Sequence, residues 1–192
     1  MDKKKRVLLK LNIPTKTIKD LWVEYGPELS KYYNIMKYKE DEIVHVIKNV
    51  SKGSNKSIDM EGAKDGTIYA VTYASVNEIE MHMKILLEFL KHKDFEFDIP
   101  LIYMGESEYI TSYITFDKEQ NTTAKKFKYS IAEKQFINFM LNDMNMIPND
   151  VESYISRAGI LTFLDFGEVK AILNPEMRKT YRDNYQSTQR QN

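Results

Sequence analysis

The chain has 192 residues, 42% of them hydrophobic, with 13 Tyr, 9 Phe and 10 Met, enough apolar material for one folded core and too much for a disordered chain. It contains no cysteine, so disulfides and thiolate-bound metals are excluded, and no run approaches the ~18 apolar residues of a membrane helix. Net charge is zero but unevenly placed: Lys3, Lys4, Lys5 and Arg6 against Asp2 give the first six residues +3, residues 174–192 carry +2, and the body between them carries −5.

Basic ends on an acidic body suit contacts with acidic protein surfaces or with phosphates. The start, MDKKKRVLLKLNIP, has an apolar stretch interrupted by Lys10 and Asn12 and makes a poor signal peptide, so a soluble cytoplasmic product is expected. Arg is scarce while Lys, Asn, Ile and Tyr abound. Those residues have A/T-rich codons, which points to a low-GC source such as a bacteriophage or its host.

In chain order, VLLKLNI (7–13) reads as a strand ended by Pro14, and Thr15 or Thr17 can cap a helix. Ile18, Leu21, Trp22 and Tyr25 then share one helical face, and Gly26-Pro27 is expected to stop it. Leu29, Tyr32, Tyr33 and Met36 repeat the helical spacing. Ile43, Val46, Ile47 and Val50 have it as well, although their β-branching also suits a strand. Residues 51–66 are polar and read as a long connecting loop, followed by a strand at 67–74.

Ser75 and Glu78 form a capping-box pattern ahead of a helix whose apolar face is Val76, Ile79, Met83, Leu86, Leu87 and Leu90. FEFDI, residues 109–116 and KFKY (126–129) read as strands. Ser130 and Glu133 form a second capping-box pattern before a helix with Phe136, Ile137, Met140, Leu141 and Met144 inward. Pro148-Asn149-Asp150 predicts a short helix ending at Gly159, and 160–173 predicts a final hairpin turning at Asp165–Glu168. The order predicts a single α+β domain over 7–173 with a mixed or antiparallel sheet, flanked by a basic arm (1–6) and a polar basic extension (174–192).

Few chemical motifs stand out. His45, His82 and His92 are isolated in sequence and read as structural. Asp165-Phe166-Gly167 spells the magnesium-binding tripeptide of kinases but lacks the phosphate loop and catalytic loop that give it meaning, and a turn at Gly167 accounts for it. Asp94, Glu96 and Asp98 would align on one side of a strand, the ordinary look of a charged outer face. Glu168-Val-Lys170 is the E-x-K spacing of metal-dependent nucleases, with Asp165 as the nearest further carboxylate, though cramped at three residues' distance. Lys125, Lys126 and Lys128 sit beside Phe127 and Tyr129, but in a strand they would place charge and stacking rings on opposite faces. No phosphate-binding or nucleophile-elbow motif occurs, and no cofactor is expected.

At the C-terminus, Asn174 can cap a helix, Pro175 suits its first turn, and Arg178, Tyr181, Arg182 and Tyr185 would share one face. No Leu, Ile, Val or Phe follows Leu173, so the order of such a helix is expected to come from a partner chain. The expectation is a non-enzymatic interaction or assembly protein. Its partners would be other protein subunits, itself included, met through these four residues and through Lys3, Lys4, Lys5 and Arg6. A virion subunit of connector or tail-completion type, or a small phage inhibitor docking on a host protein, fits that expectation. The alternatives are a nucleic-acid-binding protein and a magnesium-dependent nuclease using Glu168, Lys170 and Asp165.

Overall fold

Thr17 starts the first helix through a reciprocal cap. Its hydroxyl accepts the Asp20 N–H at 3.2 Å, and the Asp20 carboxylate accepts the Thr17 N–H at 2.7 Å. The computed structural model describes residues 16–37, 40–52, 56–105, 108–112, 129–156 and 158–191. Helix α1 (Ile18–Leu29) buries Ile18, Leu21, Trp22 and Leu29. It runs through Gly26-Pro27 instead of stopping there. Pro27 lies in the last turn, where it deprives only the carbonyl of the exposed Val23 of a helical donor, and fully buried Leu29 anchors the turn beyond it. The helix expected from Leu29 to Met36 does not form. Residues 30–33 turn, and Tyr33 donates its hydroxyl to the Ile102 carbonyl at 2.7 Å.

A five-stranded sheet follows, in the order β1-β2-β3-β6-β5 and antiparallel throughout. Its strands are β1 (Ile43–Lys52), β2 (Ser57–Ala63), β3 (Ile68–Tyr73), β5 (Ile102–Met104) and β6 (Tyr109–Ser112). The β-branched character of 43–50 prevails over its helical spacing. The polar segment expected as a loop is largely strand: β2 pairs with β1 on one side and β3 on the other. Residues 109–112 of the strand expected at 109–116 form β6; the rest of it, with 126–128 and the strand expected at 7–13, lies outside the described residues.

Helix α2 (Val76–Phe89) packs Ile79, Met83, Ile85 and Leu86 into the core. Ser75 caps it by accepting the Glu78 N–H, while the Glu78 carboxylate turns to Lys56 at 3.3 Å. Helix α3 (Ser130–Asn138) begins one residue earlier than its capping pattern implies: Tyr129 holds the cap position without a side-chain bond, so Ser130 is helical. A wider π turn, Phe139–Asp143, continues it.

A three-stranded mixed sheet, β4-β9-β8, closes the core. It comprises β4 (Phe97–Asp98), parallel to β9 (Leu161–Leu164), and β8 (Glu152–Ile155), antiparallel to β9. The helix expected at 148–159 is therefore replaced by β8 and its turn, where Gly159 takes a left-handed φ of 77°. The hairpin expected at 160–173 is also replaced. Beyond the turn at 167–168, β10 (Lys170–Ala171) pairs with β7 (Met146–Ile147), not with β9. Phe136 and Phe163 stack at 3.7 Å between ring centroids, joining α3 to this second sheet. Helix α4 (Pro175–Gln191) completes the chain. The result is an α+β fold.

Candidate functional site

Among the described residues, strand β1 lies at the edge of the five-stranded sheet and is its longest member. Val46 stands opposite Glu61 and Ile47 opposite Met60, so the two point to opposite faces, yet both are exposed, at 42% and 47%. Val44 and Val50 are exposed at 62% and 50%. A strand with apolar side chains open on both faces and a free backbone edge is a surface suited to covering by another chain. The pairing with β2 shifts register between Ile43 and His45 and between Ile47 and Ser51. Lys48 approaches Asp59 at 3.8 Å, and the turn Glu40–Glu42 places three acids just before the strand. Across the ladder, burial and then the neighbouring Glu108 raise the Glu61 carboxyl above the usual carboxylate range.

The opposite edge contrasts with it. Strand β5 has three residues, and its Met104 N–H is bonded to the Met36 carbonyl at 3.2 Å, so the chain covers that edge itself.

A second feature lies between the sheet, α2 and the end of β9. Lys56 bridges Glu78 at 3.3 Å and Asp165 at 2.8 Å, and all three side chains are more than two-thirds shielded from solvent. Behind them is a cavity of about 90 Å³ whose lining includes Thr72, His82, Tyr109 and Thr111. His82 Nε2 is 3.0 Å from the Pro100 carbonyl. A carbonyl only accepts, so this nitrogen carries the proton. Tyr109 and Phe166 contact the ring edge-on, and burial pushes the imidazole down to about 4, with the Pro100 bond opposing and Lys56 adding to the shift. The cavity has the volume of roughly three water molecules, far short of a site for a nucleotide or a cofactor.

This cluster also explains Asp165-Phe166-Gly167. Asp165 takes a left-handed φ of 68° and pairs with Lys56, Phe166 is buried, and a Cβ at Gly167 would lie 3.1 Å from a Glu78 carboxylate oxygen. The tripeptide joins β9 to the N-terminus of α2.

The C-terminal face is helical as its spacing predicts. Asn174 accepts the Met177 N–H at 3.1 Å, and Pro175 is the first residue of α4. Its order has a source within the chain. Arg178 donates to Asn145 at 2.7 Å and Arg182 to Asn142 at 2.9 Å, while Tyr181 and Tyr185 pack against the core. Burial, and secondarily Glu133, raises the Tyr181 phenol. The four residues named as partner anchors are thus engaged with the chain's own body.

The remaining candidates disperse. Glu168 is exposed in the turn and Lys170 exposed on β10, so the E-x-K spacing does not occupy one strand, and Asp165 is held by Lys56. Strand β4 covers only Phe97–Asp98; Asp94 and Glu96 are exposed, while Asp98 is half-buried and accepts the Ile99 N–H at 2.8 Å. His45 lies on β1, and His92 lies near Glu88 and Asp143, away from His82. Among the described residues no three His, Asp or Glu side chains converge as metal ligands, and no helix is long and apolar enough to cross a membrane. Lys3, Lys4, Lys5, Arg6, Lys125, Lys126 and Lys128 lie outside the described residues.

Sequence reasoning missed Lys56 and β2. The signal was present in S-I-D-M-E, where polar and apolar residues alternate with the period of a strand. No protein-family model matches the chain, and a comparison with curated proteins returns no significant match.

Proposed function

We propose that this α+β protein is a non-enzymatic interaction or assembly subunit that joins another protein chain through strand β1. The observation that carries the reading is the edge itself: Val44, Val46, Ile47 and Val50 are exposed on a ten-residue strand that, among the described residues, has a neighbour on one side only. Such an edge offers backbone N–H and C=O groups for strand addition and apolar side chains that gain by leaving water. The finer reading, a virion subunit or an inhibitor docked on a host protein, draws its support from the composition and the uneven charge.

The chain lacks cysteine, so one introduced thiol reports one position. Val46→Cys, coupled to a photo-crosslinker in the full-length protein, is expected to capture a protein chain where Val23→Cys, on the exposed face of α1, does not. Equal capture from both positions, or none from Val46→Cys, would overturn the proposal.

A further inference from the structure

The geometry points to a binding site for a small organic anion in the cleft between α3 and α4, its carboxylate or phosphate held between Lys134 and Arg182. The site goes beyond the interaction reading above and does not depend on strand β1. Charge and shape carry the inference separately.

The charge is cationic and unspent. Lys134, Ile137 and Asn138 of α3 face Arg182, Tyr185 and Gln186 of α4 across the cleft, which brings two cations together and no acid. Elsewhere on the molecule cations meet carboxylates: Lys16, Lys31, Lys56 and Lys91 each have one between 2.6 and 2.8 Å away. Among the described residues neither Lys134 nor Arg182 has such a partner. Their sequence neighbours do not supply one: Glu133 lies near the Tyr181 phenol, Asp183 is exposed on α4, and neither lines the cleft. Asn142 accepts one N–H from the Arg182 guanidinium at 2.9 Å, which orients its plane, and no other described acceptor meets that group. One turn earlier on α4, Arg178 donates to Asn145, yet its Nε is buried without an acceptor. This face of α4 therefore presents more charged donors than the chain's own acceptors satisfy.

The shape suits a small molecule. The cleft encloses about 390 Å³, within the range of small-ligand pockets. Ile137, almost wholly buried, and the half-buried Tyr185 give it an apolar wall, while Asn138 and Gln186 add amide groups. An apolar wall beside a cation pair selects an anion that carries an organic group over a bare ion. The planar guanidinium fork and the compact ammonium charge fit a carboxylate or a phosphate equally.

The test is an NMR titration of the full-length chain with phenyl phosphate, benzoate, inorganic phosphate and the neutral benzyl alcohol. Phenyl phosphate and benzoate are expected to shift the Lys134, Asn138 and Gln186 amides saturably, and the tighter of the two identifies the preferred anionic group. Inorganic phosphate should bind more weakly and benzyl alcohol not at all. Lys134→Gln should weaken binding about tenfold by removing one charged donor. Its unfolding midpoint should not move, because Lys134 is exposed and unpaired. Lys179→Gln removes the same charge from an exposed position on α4 outside the cleft and should leave binding unchanged. No saturable shift with either organic anion, or equal losses in Lys134→Gln and Lys179→Gln, would overturn the inference. Inorganic phosphate binding as tightly as phenyl phosphate would overturn the organic class of ligand. Capture of an acidic protein chain at the cleft in place of these anions would make it a docking surface and overturn the inference as well.

Discussion

Acid should destabilise this protein through His82 before most carboxylates take part. The ring is buried, donates from Nε2 to Pro100, and is held down to about 4 from an ordinary value of 6.5. Between those values the unfolded chain binds a proton that the folded chain refuses. Stability contributed by the neutral ring is therefore complete above 6.5 and falls as pH drops towards 4. At 1.36 kcal/mol per pH unit the full window is worth about 3 kcal/mol, of which about 2 kcal/mol is lost between pH 7 and 5. Glu61 and Asp98 act in the opposite sense: burial raises both carboxyls, so their folded forms accept protons more readily and gain relative stability as pH falls. Burial alone would raise the Glu80 carboxyl, but bonds from Lys16 and Tyr25 together with the neighbouring Lys84 hold it below the usual range, so its contribution is lost only at more acidic pH. Urea unfolding followed by the single, buried Trp22 at pH 7, 6 and 5 measures the loss. His82→Gln retains a donor for Pro100 without titrating and should flatten the dependence. The reasoning is refuted if His82→Gln loses as much stability as the wild type over this range, or if the His82 ring protons titrate near 6.5 by NMR.

Three further outcomes are expected. Lys56→Met leaves the shielded Glu78 and Asp165 carboxylates without their shared cation and should cost ~1–3 kcal/mol in denaturant unfolding, a loss that the added mutation Asp165→Asn reduces. Leu86→Ala, at a fully buried position in the core face of α2, should cost ~2–5 kcal/mol, and an unmoved unfolding midpoint would show that the helix faces elsewhere. Truncation after Leu173 removes the Tyr181 and Tyr185 packing and the bonds to Asn142 and Asn145, so it should lower the melting temperature of the isolated chain. An unchanged melting temperature would show that α4 is not held by the body.

The helices were legible where a cap and an apolar face coincide. Thr17 ahead of Ile18–Leu21–Trp22, Ser75 ahead of Ile79–Met83–Leu86, and Asn174-Pro175 ahead of the tail all act within one or two turns. The strand at 68–73 was legible from its β-branched and aromatic run. Four segments went the other way: 29–36 and 148–159 were expected as helices, 51–66 as a loop and 160–173 as a hairpin. In each, local spacing was compatible with more than one backbone, and the decision came from what lay beside it. Ser57–Ala63 becomes strand because β1 and β3 pair with both its edges, and Leu161–Leu164 pairs with β4 and β8 because Phe163 stacks on Phe136. Of the candidate site, the apolar residues Val46, Ile47 and Val50 were visible, but their exposure was not.

By itself the sequence determined the class of fold, the absence of thiol chemistry, the main helix faces and the uneven charge, because each depends on composition or on residues within a few positions of one another. The tertiary structure alone decided which surfaces are open. The tail's Arg178, Tyr181, Arg182 and Tyr185 were named for a partner, yet Asn142, Asn145 and the core beneath them engage that face. Val44, Val46, Ile47 and Val50 have the composition of buried residues but stand in solvent, because β1 lies at the edge of the sheet. Exposure is a property of what packs against a residue, and for β1 and α4 those neighbours lie across the fold, where no local pattern records them.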